Sequence, residues 1–339
     1  MTSRIPHLLE PYLTLPDEAG LIVLTSVLGA STNWLLLRHI YSLLKPSSSP
    51  LTSRPSPSHV TWPGGDCRRG STEDQQQHQG QQQQQQRQEE EEDVAVLLVS
   101  FLRDFAFWRE NAARLGLDLE AAARRGRFAY VDGLSSLFSP APSSHGPGQQ
   151  QQQQQQRGVG VEGWKRVLTS PAPGDMGRVF LESVEQLKKK EKKGGLSTGA
   201  GNGSFEGGGG RKVVLVIDGL DFVLAASNPA AGTAAIALRE MLMDLRETTH
   251  AAIVTLAADD PLVKEQETSL EKQHAWFTLH LAHEADTVMS LRLLDTGAAK
   301  DVSGVIRITG GGGMSHTEGH EYLYHVGGDG GVKVFERGQ

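Results

Sequence analysis

The sequence predicts an α/β fold: a mostly parallel central sheet flanked by helices, with antiparallel strands added at the C-terminal end. Three observations carry this. Val213 to Ile217 and Val94 to Val99 are continuous apolar runs and Ala251 to Ala257 is apolar but for Thr255, the pattern of strands buried on both faces. Segments with helical periodicity separate them. The tail, by contrast, alternates apolar and polar residues between glycine turns, as half-exposed strands do.

The chain is organised around Lys212-Val-Val-Leu-Val-Ile-Asp218-Gly-Leu-Asp-Phe222. Asp218 ends the strand on the carboxyl side, where ligands bind in open α/β sheets. In phosphate-loop NTPases an aspartate there helps hold Mg²⁺.

Taken in order, residues 1–20 are a lead-in whose Ile5, Leu8, Leu9, Tyr12 and Leu13 can pack on the sheet or on a partner. Leu21 to Ser26 reads as the first strand and Leu28 to Asn33 as a turn. Trp34 to Lys45 reads as a helix with Trp34, Leu37, Ile40, Tyr41 and Leu44 on one face, Ser31 or Thr32 as N-cap and Pro46 as stop. After the second strand, Asp104 caps a helix carrying Phe105, Trp108, Ala112 and Leu115. Asp118 to Arg125 is a short helix closed by Gly126, and Arg127 to Asp132 is the third strand.

Trp164 to Lys193 contains a helix with Met176, Val179, Phe180, Val184 and Leu187 at helical spacing. It runs into Lys188-Lys-Lys-Glu-Lys-Lys193, which is either a solvated helix end favoured by the dipole or an RNA-contacting patch. Beyond Asp218, Leu220 to Asn228 is a loop or short helix, and Gly232 to Thr248 is a helix with Ala235, Leu238, Leu242 and Leu245 as core. Asp259-Asp-Pro261 is a turn, and His274 to His283 is a helix or covering segment. The tail strands are Asp286 to Leu294, Gly304 to Thr309, Glu321 to Val326 and Val332 to Phe335.

Three stretches are too biased in composition to pack: 46–93, 139–162 and 194–211. The first holds Gln81 to Gln86 and the acidic run Glu89 to Asp93; the second holds Gln149 to Gln156, read as a length-variable spacer. Gly207 to Gly210 is no phosphate loop, because no strand precedes it and no Lys-Ser/Thr pair follows. Outside these stretches about 250 of the 339 residues remain, and the folded part, about 230, reads as a single domain.

The formal net charge of −7 argues against strong nucleic-acid binding by net charge alone. Cys67 is the single cysteine, which permits neither an internal disulfide nor a cysteine-based zinc site. With no charged n-region before an apolar core and no long apolar run, neither a signal peptide nor a membrane span is expected, and the location expected is the cytoplasm or also the nucleus.

A working ATP site needs three parts. The first is G-x-x-x-x-G-K-[ST] between the first strand and helix. Aligning Gly29 with the second glycine puts Leu24 at the first, Ala30 at the lysine and Ser31 at the hydroxyl, so Gly29 and Ser31 fit while Leu24 and Ala30 do not. The second is an acid after the second strand, but Ser100-Phe-Leu-Arg103 has no carboxylate before Asp104. The third is Asp218, which is present. Gly29, Ser31 and Asp218 therefore read as remnants of a degenerate ATP site. No catalytic, cofactor-binding or metal-binding residue is expected, and Asp218 reads as a strand-end carboxylate capping the next turn. The histidines make no metal site either: His280 and His283 lack a third ligand, and His320 and His325 face opposite sides of one strand, with His316 before them. There is no G-x-S-x-G or H-E-x-x-H motif.

These residues resemble a known family. The strand–turn–helix opening, the second strand with Ser100-Phe101, Tyr130-Val-Asp-Gly-Leu-Ser135 and Val214-Leu-Val-Ile-Asp218 are similar to the RecA/KaiC-like ATPase core. Ile5-Pro-His-Leu-Leu-Glu-Pro-Tyr-Leu13 and Leu28-Gly-Ala-Ser-Thr-Asn-Trp-Leu35 resemble the Elongator complex protein 6 family, particularly its fungal forms. The resemblance spans the ordered segments from residue 5 to about residue 335 and none of the biased stretches. It implies a RecA-like subunit without ATPase motifs that joins Elongator proteins 4 and 5 in a hexameric ring. That ring meets the Elongator catalytic core, binds tRNA and supports carboxymethyl-type modification of the wobble uridine. Ala30 in place of the lysine, and Leu102-Arg103 in place of the acidic pair of KaiC-like members, depart from active relatives and agree with a non-catalytic role. Two other functions compete: an unorthodox ATPase using Ser31, Thr32 and Asp218, and a RecA-like recombination mediator on single-stranded DNA. The acidic charge and the lack of a basic-aromatic stripe argue against the mediator.

Overall fold

The structure, a computed structural model, describes residues 4–45, 94–137, 163–189, 210–227, 232–294, 299, 301–312 and 319–336. The three biased stretches lie outside the described residues, apart from Gly210 and Arg211. Arg211 belongs to the fold, its Nη1 donating to the carbonyl of Gly126.

A 3-10 helix, His7–Tyr12, leads into β1 (Gly20–Ser26) and α1 (Asn33–Leu44). Then come β2 (Val94–Ser100), α2 (Phe105–Arg114), α3 (Leu119–Arg124), β3 (Phe128–Asp132), β4 (Lys165–Val167) and α4 (Pro173–Lys188). The central strand β5 (Lys212–Asp218) is followed by α5 (Phe222–Ala226), α6 (Ala234–Thr248), β6 (Ala251–Ala257), α7 (Asp260–Val263) and α8 (Ser269–Glu284). The chain closes with β7 (Thr287–Arg292), β8 (Gly304–Gly310), β9 (His320–Val326) and β10 (Val332–Phe335).

All ten strands join one sheet, in the order β10-β9-β8-β7-β1-β6-β5-β2-β3-β4. Pairing is parallel from β4 through to β7, and antiparallel between β7 and β8, β8 and β9, and β9 and β10. The buried runs occupy the middle because crossover helices cover both of their faces. Along β5, Val214 and Val216 face a core completed by α1, α2 and the 3-10 helix. Val213, Leu215 and Ile217 face the opposite core, under α4, α6 and α8. The period-2 alternation of a strand divides one apolar run between two cores. At the antiparallel end one face packs: Tyr322, Tyr324 and Val332 join the α1 core, with the Tyr324 ring 5.0 Å from that of Trp34.

The structure differs from the sequence expectations at four places. β4 lies inside the stretch read only as helix-containing; a three-residue edge strand beginning Lys165-Arg166 has no apolar run to announce it. β7 pairs in parallel with β1, so the antiparallel extension starts one strand later, at β8. Asp260–Val263, read within a turn, forms a helical turn with Pro261 in its first positions. The segment read as His274 to His283 is the body of the longer α8, which opens on a capping box: the Thr268 hydroxyl accepts from Glu271 N and the Glu271 carboxylate accepts from Thr268 N.

Candidate functional site

Asp218 ends β5 between β2 and β6, in register with Ser100. Its side chain is fully buried. Ser100 Oγ donates to Oδ2 at 2.8 Å and Thr255 Oγ1 donates to Oδ1 at 3.2 Å. Each hydroxyl also accepts a backbone N–H, from Arg103 at 3.0 Å and from Gly219 at 2.7 Å. Burial pushes the Asp218 carboxyl up to about 6, against the opposing pull of the two hydroxyl donors. Gly219 follows at φ +73, a left-handed position that glycine takes without strain.

The neighbouring strand ends are built alike. Asp132 closes β3, accepting from the backbone N–H groups of Leu134 and Ser135 and from the Ser135 hydroxyl. Asp221 accepts from Ala257 N and faces His274 Nε2, both at 3.2 Å. The carboxyl edge of the sheet thus ends in polar side chains folded back on its own backbone and hydroxyls. That is the turn-capping use of a strand-end carboxylate.

Gly29 sits in the β1–α1 turn at φ +92. The exposed Leu28 donates its N–H to Asp259 Oδ1 at 2.7 Å, which pins the turn to the chain after β6. Ser31 Oγ accepts from Asn33 N, while Thr32, the N-cap residue of α1, makes no side-chain cap bond. Ala30, at the lysine position, is 1% exposed, and Leu24, at the first glycine position, is fully buried inside β1.

The predicted residues divide between two places. Gly29 and Ser31 line a cavity of about 480 Å³ between α1, α2 and the β9–β10 hairpin. A second cavity, of about 260 Å³, lies at the sheet edge and is lined by Thr32, Gly219, Asp221, Thr255 and His274. Asp218 lines neither, being covered by its own hydroxyl partners. Sequence reasoning missed Ser100 and Thr255 as the residues that enclose Asp218. Their one signal is a hydroxyl at or near the end of an otherwise apolar strand.

The remaining candidates do not converge. His320 Nδ1 bonds the Tyr12 hydroxyl at 2.8 Å, and His280 Nδ1 bonds the Trp276 carbonyl at 2.7 Å. His316 lies outside the described residues. Among the described residues no group of three or more His, Cys, Asp or Glu could hold a metal ion, and no helix is long and apolar enough to cross a membrane. Of the lysine run, Lys188 meets Glu185 at 3.5 Å and Lys189 is exposed; the rest lies outside the described residues.

No family model and no curated protein matches this chain. Among solved structures it is similar to a KaiC-like protein from the hyperthermophilic archaeon Pyrococcus horikoshii OT3. The TM-score is 0.50 and the identity 14%, over 98% of this chain and 97% of that one. The fold is RecA/KaiC-like. At that identity the likeness speaks for the architecture alone, and function has to be argued from the site.

Proposed function

We propose that this chain is a non-catalytic RecA-like subunit of the Elongator protein 6 type. It joins Elongator proteins 4 and 5 in a hexameric ring that meets the Elongator catalytic core, binds tRNA and supports carboxymethyl-type modification of the wobble uridine, in the cytoplasm and also the nucleus. The observation that carries the non-catalytic part is the enclosure of Asp218. Both of its oxygens accept internal hydroxyls, its side chain has no exposed surface, and Ala30 closes the lysine position. Phosphoryl transfer needs cations and donors aimed at the transferring group. Here the strand-end carboxylate is engaged by the protein's own hydroxyls, and alanine stands where the lysine would be.

The Elongator part rests on the resemblance at Ile5 to Leu13 and Leu28 to Leu35. Ring assembly is supported by exposed apolar side chains at the carboxyl end of the sheet. Leu28 is 86% exposed, and Leu102 and Leu293 are also exposed. They stand on turns after β1, β2 and β7, where a neighbouring subunit would cover them.

The test is co-expression with the two related Elongator subunits, followed by native mass determination. The expected result is a stoichiometric hetero-hexamer containing this chain. A ring that assembles without it, beside a monodisperse free monomer, overturns the assignment. A titration with Mg²⁺-ATP separates the ATPase alternative: tight binding abolished by Asp218→Ala would replace the scaffold reading.

A further inference from the structure

The cavity of about 480 Å³ beside α1 has an uncompensated positive charge in its lining. Arg38, on the second turn of α1, is 2% exposed. Its Nη1 donates to the Trp34 carbonyl at 3.0 Å and its Nη2 to the Gly330 carbonyl at 2.9 Å, while Nε is buried without a partner. Among the described residues Arg38 makes no ion pair. Burial lowers its pKa to about 10, with no carboxylate acting against that shift. The guanidinium also lies 5.8 Å from the centre of the Trp34 ring, but carbonyl dipoles and an aromatic face leave its net charge in place, and a buried charge is ordinarily paired.

Two more guanidinium groups line the same cavity. Arg4 is exposed and donates to the Tyr41 hydroxyl at 3.2 Å; Arg114 is exposed at the end of α2. Neither forms an ion pair among the described residues. Several arginines elsewhere are paired, as in Arg166–Glu182, Arg178–Asp175 and Arg239–Glu284, while Arg246 donates to the Ala19 carbonyl; three guanidinium groups lining one cavity are what sets this place apart. One acid, Asp329, lines the cavity; it is exposed and accepts from Gly331 N. One part of the wall is apolar and aromatic, formed by Trp34, Leu37, Phe107 and Val326, and Ser31, Asn111 and Ser303 add polar groups. Asn33, the first residue of α1, also lines the cavity, so the positive end of the helix dipole lies at the same place.

We propose that this cavity binds a small phosphomonoester, its phosphate beside Arg38, Arg4 and Arg114 and an apolar or planar body against Trp34 and Phe107. Three guanidinium groups against one carboxylate leave two positive charges, which a dianion balances and a monocarboxylate does not. The volume suits a ligand of about mononucleotide size. The site runs along the flank of α1, away from Asp218, and its argument does not depend on the ring assignment.

The test is isothermal titration calorimetry on the full-length chain with inorganic phosphate, phenyl phosphate, AMP and adenosine. The expected order has phenyl phosphate and AMP binding more tightly than phosphate, and adenosine at least about tenfold more weakly than AMP. Arg4→Ala and Arg114→Ala are at exposed positions and should leave thermal unfolding unchanged, yet each should weaken AMP by roughly tenfold. Arg38→Met, which replaces the buried cation with an apolar chain, should abolish binding in a protein that still unfolds cooperatively. The rim variants decide the question if Arg38→Met does not fold. The proposal is overturned by no binding of any phosphate-bearing probe at about 10 mM. It is also overturned by affinities that ignore both rim variants, as binding at the lysine run would give, or by adenosine binding as tightly as AMP.

Discussion

Replacing Asp218 with asparagine removes the one carboxyl that the sheet edge encloses, and the effect should depend on pH in a defined way. The native carboxyl titrates at about 6 against an ordinary 3.8, because burial outweighs the hydroxyl bonds from Ser100 and Thr255. The native state therefore holds this proton more tightly than the unfolded chain does. The stability it contributes is fully present below pH 3.8 and is lost as the pH rises through about 6. A shift of about 2 units at 1.36 kcal/mol per unit gives about 3 kcal/mol. An asparagine side chain cannot ionise, so the stability of Asp218→Asn lacks this component. The substitution also alters hydrogen bonding to the two hydroxyls, but that offset does not vary with pH. The stability of the variant minus that of the parent should thus move by about 3 kcal/mol in the variant's favour between about pH 4 and pH 7. Urea unfolding followed by tryptophan fluorescence at steps across that range measures it. A difference that stays constant with pH, or moves in the opposite direction, refutes the reasoning, because the hydroxyls would then outweigh burial. Asp218→Ala leaves both hydroxyls without their acceptor and should cost about 2 kcal/mol or more near pH 4, a cost that shrinks towards pH 7 by the same pH-dependent component.

Three further substitutions follow from the same edge. Ala30→Lys, which restores the phosphate-loop lysine, should yield no ATP turnover, and burying an ammonium at a position 1% exposed should cost about 2 kcal/mol or more; turnover above background in a coupled assay refutes this. Gly219→Ala should cost about 2 kcal/mol or more by chemical unfolding, since the residue sits at φ +73 and a Cβ would lie 2.6 Å from Leu102 Cγ. Leu102→Ala should relieve the steric part and leave the backbone part; full recovery in the double variant refutes a backbone cost.

Much of the fold was legible because long apolar runs and helical stripes leave few arrangements. Val94 to Val99, Val213 to Ile217 and Ala251 to Ala257 each became a central strand, and Asp104 caps α2 as expected. β4 was not legible, because an edge strand buries too little to need an apolar run. The start of α8 could have been found from Thr268-Ser-Leu-Glu271, whose spacing is that of a capping box. The parallel placement of β7 against β1 could not, since alternation fixes which faces a strand presents and not which neighbour it takes.

The site divides along the same line. The sequence by itself determined that a strand ends on Asp218, that the first turn offers Gly29 and Ser31, and that no lysine follows. These facts lie in local runs of residues. Only the tertiary structure decided where those groups look. Gly29 and Ser31 line one cavity, and Asp218 is enclosed by Ser100 from 118 positions away and Thr255 from 37. The gathering of Arg4, Arg38 and Arg114 around a single cavity was equally invisible. Side chains on different elements meet only when the sheet order and the helix packing are set, and those are fixed by burial summed over the whole chain rather than by any local pattern.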